Sequence, residues 1–167
     1  MKKTFEKLIA THSTSLTKLC TSLCNNLHDA QDLYQATWEK AIKKYRQYDS
    51  NQSFEKWLFA ICVNTYRDML RRYDNKKVVK FSTSDEQESF LYSIPDFDVD
   101  KDEYIALHTA LTNLRPEHRE VIILYYFKDY SILELSEILS VKEGTVKSRL
   151  HFAREKIRKE MHIDEKQ

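Results

Sequence analysis

Hydrophobic positions recur at helical steps through most of the chain. Over residues 3–24, Phe5, Leu8, Ile9, Leu16, Leu19, Cys20 and Leu23 form one apolar stripe, the signature of an amphipathic helix. A second helix is expected over 29–47, with Leu33, Ala36, Thr37, Ala41 and Ile42 on its inner face. Asp29 and Asp32 suit the positive start of its dipole, and Lys43, Lys44 and Arg46 its negative end. DSNQS, 49–53, is a loop rich in capping residues. A third helix is expected from Phe54 to about Tyr73, turning Trp57, Leu58, Ile61, Met69 and Leu70 inward. The period then fails: FSTSDEQESFLYSIPDFDVD is acidic, Ser-rich and broken by Pro95, and reads as a linker. Its Phe81, Phe90, Leu91, Tyr92, Ile94 and Phe97 are apolar enough to dock on another surface. Helices resume over 102–113, and Pro116 opens the next, which should bury Val121, Ile122, Leu124 and Tyr125. Ser131 caps a short helix ending near Leu139, and a basic helix runs from Lys142 to about Met161.

The last two helices fit a helix-turn-helix. Leu135 and Leu139 face inward, Ser136 is small where the helices cross, Val141 plugs the turn, and Val146 and Leu150 face back. Ser140 stands where this turn often has glycine, so it must take up an awkward backbone conformation. Along the second helix Val146, Leu150, Ala153 and Ile157 are the expected buried face. Lys142 at its start and Thr145, Lys147, Ser148, Arg149, His151 and Arg154 around it suit phosphates and base edges. A solvated basic face on a bundle helix is the competing explanation. Gly144, the one glycine of the chain, sits in the first turn. Lacking a side chain, it lets DNA approach the unpaired N–H groups of the helix start.

Composition supports an all-helical protein: 41% hydrophobic and 32% charged residues, with one Gly and two Pro among 167, leave little material for β-turns. No apolar run reaches the ~18 residues of a membrane span, and the N-terminus has no signal-peptide core. The net charge of +1 hides a strong segregation. Residues 67–80 hold six basic and two acidic side chains, 142–159 seven and two, and 82–103 one and eight. Two basic zones thus flank an acidic connector. Three cysteines without a CxxC pair fit a reduced cytoplasm.

In SFEKWLFAICVNTYRDMLRRYDNKK, Trp57, Phe59, Tyr66 and Tyr73 interleave with Arg67, Arg71, Arg72, Lys76 and Lys77. Stacking surfaces beside backbone-neutralising charge suit single-stranded nucleic acid; a core face opposite a solvated arginine face is the simpler alternative. Cys20, Cys24 and His28 step by four, with His12 further back, but no fourth ligand is evident, so no metal is expected. No phosphate loop, HExxH or GxSxG is present, and no enzymatic activity or cofactor is expected.

Together these segments resemble a bacterial RNA polymerase sigma factor of the extracytoplasmic-function group, in the sigma-70 family. In HDAQDLYQATWEKAIKKYRQYD, residues Ala30, Asp32, Leu33, Gln35, Thr37 and Trp38 match the family's core-polymerase-binding helix. Trp57, Leu58, Ile61, Asn64 and the basic residues after them match the segment that melts and reads the minus-ten element. Residues 114–157 resemble the region that reads the minus-thirty-five element. The resemblance implies a transcription initiation factor that binds core RNA polymerase, directs it to promoters and assists strand opening. Asp32, Leu33, Gln35 and Trp38 would lie near the largest subunit's coiled coil, and the second domain near the flap region. Asn64 would lie beside a loop that captures a flipped base, and the basic helix would enter the major groove. The acidic linker would thread toward the active-site and RNA-exit path. An anti-sigma factor, often membrane-anchored, is an implied partner of an otherwise cytoplasmic protein. Phe152 replaces a frequent arginine, and Tyr125 a frequent basic residue, which implies an unusual promoter preference.

The expected fold is all-α: a domain over 1–80, an acidic linker over 81–103, and a four-helix helix-turn-helix domain over 104–167. A stand-alone helix-turn-helix regulator with an N-terminal sensor domain, and a metal-dependent helical enzyme built on Cys20, Cys24 and His28, are the alternatives.

Overall fold

The computed structural model describes residues 2–76 and 101–162, and among these all regular structure is helical. The linker aromatics and Lys77 lie outside the described residues, as do the side chains of Lys76 and Tyr104. The helices are α1 (Lys2–Leu23), α2 (Leu27–Lys44), α3 (Phe54–Lys76), α4 (Lys101–Thr112), α5 (Pro116–Lys128), α6 (Ile132–Leu139) and α7 (Glu143–Glu160). They divide into two compact units, α1–α3 and α4–α7.

In the first unit three helices pack mutually. Leu16, Leu19 and Leu23 of α1, Leu33, Trp38 and Ala41 of α2, and Leu58, Phe59, Cys62, Val63 and Tyr66 of α3 form the core. Asn26 caps α2 by accepting a hydrogen bond from the Asp29 amide at 2.8 Å. The Tyr73 hydroxyl donates to Asp29 at 2.7 Å, tying the end of α3 to the start of α2. Ile42, expected inside, is 55% exposed, because α2 is near its end and passes into a 3-10 turn over Tyr45–Gln47. Phe59 and Tyr66 are core residues and offer no stacking surface, while Leu70 is half-buried.

The second unit is organised around α7, which packs against α4, α5 and α6. Its α4 begins at Lys101, so the last three residues assigned to the linker are helical; Asp102 and Glu103 stabilise that start through the dipole. Arg119 is buried and uses its guanidinium to close the end of α4: Nε donates to Leu111 O at 2.8 Å and Nη2 to Leu114 O at 3.1 Å. It thereby adds a donor to carbonyls at the end of α4, where Leu111 O also accepts from the Leu114 amide at 3.2 Å. Val121, Ile122, Ile123 and Leu124 fill the core, but Tyr125 is only half-buried. Ile157 is likewise half-buried, which confines the fully buried face of α7 to Val146, Leu150 and Ala153.

The α6–α7 corner forms as the sequence implied. Ser131 and Glu134 make a reciprocal capping box at the start of α6. Ser140 ends α6 in the left-handed region, φ 55° and ψ 46°. Its amide and that of Val141 both turn back to Ser136 O.

Candidate nucleic-acid interface

The first unit presents one continuous polar stripe on α3. Trp57, Ala60, Asn64, Arg67 and Arg71 follow one another at steps of three and four, and so share a face opposite the core. Asn64 is exposed on that stripe. Trp57 is half-buried, held against Tyr48 at 5.1 Å and Phe54 at 5.4 Å between ring centroids. Arg71 is paired with Asp68 at 2.8 Å, and Asp68 also takes Lys40 of α2 at 3.2 Å. Both pairs are exposed enough to exchange for phosphate at little cost.

Arg72 leaves this stripe. It lines a groove of about 320 Å³ between α2 and α3, together with Asp32, Gln35, Ala36, Glu39, Met69 and Tyr73. Asp32 and Gln35 are exposed there, so the structure brings Arg72 to the polymerase-binding candidates instead of the melting ones. Leu33 and Trp38 are 0% and 6% exposed. The Trp38 ring lies stacked on Phe54 at 6.4 Å and edge-on to Phe5 at 5.9 Å. Both side chains therefore help to hold α2 in place.

The metal candidates do not converge. Cys20 and Cys24 are buried, whereas His28 is exposed beside Asp32 at 3.6 Å. Cys20 Sγ lies 3.8 Å from Cys62 Sγ across the α1–α3 seam. Burial, then the Cys62 and Cys24 neighbours, push the Cys20 thiol well above its usual range. A protonated, sealed thiol packs as a small apolar group.

In the second unit α7 starts with Lys142 as N-cap residue, whose side chain makes no capping hydrogen bond. Lys142, Gly144, Lys147, Ser148, His151 and Phe152 are exposed; Thr145, Arg149 and Arg154 are half-buried. A Cβ built on Gly144 would meet no atom within 4 Å, so the space in front of the first turn is open. First-turn N–H groups with no side-chain cap give this helix end a positive partial charge, of the kind that favours anions. Arg154 is held from the side: Nε donates to the Tyr126 hydroxyl at 2.8 Å, and the guanidinium lies 5.2 Å from the Tyr125 ring centroid. These aromatic contacts fix the guanidinium while leaving part of it open. The sequence singled out Tyr125 but not Tyr126 or His118, whose proximity to α7 arises from α5 folding across it and leaves no local pattern.

Two helical units, one with a basic stripe on a long helix and one with a helix-turn-helix whose second helix has a clear front, define a DNA-binding protein of the helix-turn-helix class. The comparisons agree. "Sigma-70 region 2" matches residues 8–76 and "Sigma-70, region 4" matches 104–157. The chain is 27% identical to the extracytoplasmic-function RNA polymerase sigma factor SigW of Bacillus subtilis over 165 residues, covering 94% of this chain and 88% of that one. It is 31% identical to the RNA polymerase sigma factor SigV of the same organism over 157 residues, covering 91% and 90%. Among solved structures it is similar to the sigma factor RpoE of Bartonella quintana, crystallised in complex with the anti-sigma factor NepR. That match has a TM-score of 0.79 and 24% identity, covering 97% of this chain and 99% of that one. This chain belongs to the sigma-70 family, in its extracytoplasmic-function group. It is a promoter-directing transcription initiation factor of RNA polymerase and not an enzyme. No helix among the described residues is long and apolar enough to cross a membrane.

Proposed function

We propose that the two units divide the promoter between them while the α2–α3 groove engages the polymerase. Asp32 and Gln35, with Glu39 and Arg72 beside them, meet the coiled coil of the largest subunit. Trp57, Asn64, Arg67 and Arg71 line the path of the minus-ten strand, and Lys76 and Lys77 follow them in sequence. Unstacking a base costs a few kcal/mol, offset when the extruded base finds stacking and hydrogen bonds. Asn64 supplies the amide for such a base, and the half-buried Trp57 the flat surface beside it.

In the second unit α7 enters the major groove of the minus-thirty-five element and the domain sits near the flap region. Lys142 and the open first turn take phosphate; Thr145, Lys147, Ser148, Arg149, His151 and Arg154 face the groove and its walls. The residues over 81–100 connect the units as an acidic linker along the RNA-exit path, where their charge repels nucleic acid from the wrong channel. A protein antagonist holds the chain inactive until induction, a reading supported by the anti-sigma complex of the similar RpoE structure. Such an antagonist can tether the chain at the membrane from the cytoplasmic side.

The observation that carries this reading is the open front of α7 at Gly144, joined in one chain to the Asn64 stripe. Run-off transcription with core RNA polymerase, with and without the chain, tests it on the promoter of the chain's own operon. A specific transcript is expected only when both are present. Tight operator binding by the chain alone, with no dependence of transcription on it, overturns the proposal. Asn64→Ala should impair strand opening, read by permanganate reactivity, more than duplex binding; equal losses overturn the melting role.

A further inference from the structure

The front of α7 carries one large apolar side chain that the core does not use. Phe152 is 58% exposed. It lies four residues beyond Ser148 and eight beyond Gly144, on the helix face turned away from Val146, Leu150 and Ala153. Two imidazoles fix its ring. His118, from the first turn of α5, stacks on it at 6.0 Å with the planes 24° apart, and His151 meets it edge-on at 5.7 Å. Burial pushes the His118 pKa down, and Arg115, Arg149 and Lys156 reinforce this against Glu117. His118 is therefore neutral at pH 7 and stacks as an apolar plate.

Gly144 and Phe152 are about 12 Å apart along the helix axis. They share a face with Ser148, and the major groove is wide enough to admit a helix, so an α7 lying along the groove turns Phe152 toward the same base edges as its first turns. Phosphate oxygens and the acceptors of guanine lose hydrogen-bonding water against a phenyl ring and gain nothing in return. Among the four bases only thymine offers an apolar group in that groove, its C5 methyl.

We infer that Phe152 is a specificity-determining residue that packs on a thymine methyl of the minus-thirty-five duplex, with His118 as the residue that positions its ring. This rests on the placement of α7 in the major groove proposed above. The consequence is a preference for thymine, and against guanine, at one base position.

The test uses the full chain with core RNA polymerase on templates randomised across the minus-thirty-five region. Wild type should enrich thymine at one position, and Phe152→Ala should lose that preference while keeping the others. Deoxyuridine, which differs from thymine only by the methyl, should then lower wild-type open-complex formation about threefold to fivefold at that position. Phe152→Ala should be indifferent to the exchange, and His118→Ala should lose part of the thymine preference without a change in salt dependence. Retained thymine preference in Phe152→Ala, or wild-type indifference to deoxyuridine, overturns the inference. A wild type with no sequence preference in this region overturns the placement of α7 itself, which is a distinguishable failure. Phe152 is exposed, so its variant should fold; should it not, the deoxyuridine comparison needs only wild-type protein.

Discussion

Helices α3 and α7 both mix aromatic and basic residues, yet they use the aromatics in opposite ways. In α3, Phe59 and Tyr66 are sealed in the core, and Trp57 and Tyr73 are half-buried. In α7 the one phenyl ring stands outside. The cause is the width of the buried arc. Helix α3 lies against both α1 and α2, and its unbroken apolar run Phe59–Ala60–Ile61–Cys62–Val63 reaches well around the cylinder. Helix α7 meets three shorter helices yet fully buries only Val146, Leu150 and Ala153, none of them adjacent in sequence. Consecutive apolar residues signal an arc that captures aromatics; isolated ones signal a front left free for a ligand.

The largest effect that would break this contrast is at Trp38. Truncating a buried tryptophan costs about 3–5 kcal/mol, a large share of a small unit's stability. Trp38→Ala should therefore abolish the thermal transition of the first unit, while Asp32→Ala and Gln35→Ala keep it and lose polymerase binding. A folded Trp38→Ala protein with native near-UV circular dichroism would show that the ring belongs to the surface after all.

Next is Gly144→Leu, which should leave the melting temperature of the second unit unchanged or slightly higher. A leucine meets no protein atom there within 4 Å of its Cβ and favours helix by about 1 kcal/mol. Promoter binding should nevertheless fall at least tenfold in a filter assay. Normal transcription by this variant would reduce the glycine to an accident of the helix start.

A smaller effect belongs to the charges. Lys147→Ala and Arg154→Ala should each weaken minus-thirty-five binding and flatten the logarithmic salt dependence by about one unit if they touch phosphate. Arg71→Ala, on the other helix, should leave binding of the isolated minus-thirty-five duplex unchanged. Affinity and slope unaltered in the α7 variants would exclude these contacts.

The smallest is a stability effect in alkali. The hydroxyl of Tyr73 is pushed from about 10 up to about 12 by burial and by its hydrogen bond to Asp29. A group held protonated in the folded state stabilises it fully below pH 10 and loses that contribution as pH rises toward 12. The first unit should lose melting temperature across that window, and Tyr73→Phe should lose less. Parallel curves for the two proteins would mean that the bond to Asp29 carries no stability.

The periodic parts of the molecule were legible in the sequence because burial on one face is written at fixed steps. The stripes of α1 and α3, the capping box at Ser131 and the left-handed turn at Ser140 all follow from local rules. What escaped depended on long-range neighbours. Trp38 matches a binding motif, but only the arrival of Phe5 and Phe54 makes it core. Arg72 lies among basic residues of α3, but Asp32 and Glu39 of α2 decide which groove it lines. The Arg154 side chain meets Tyr126 across 28 residues of sequence, a pairing no local spacing reveals.

The left-handed Ser140 gives the second unit a margin for evolutionary or engineered change. A non-glycine residue in that basin costs roughly 1–2 kcal/mol, and glycine would recover most of it without altering the corner. Exposed substitutions that install new base preferences on α7 usually change stability by about 0.5 kcal/mol or less each, so glycine here offsets several of them. Ser140→Gly is thus a ready compensating partner for retargeting substitutions, and this head can exchange one promoter preference for another without passing through an unfolded intermediate sequence.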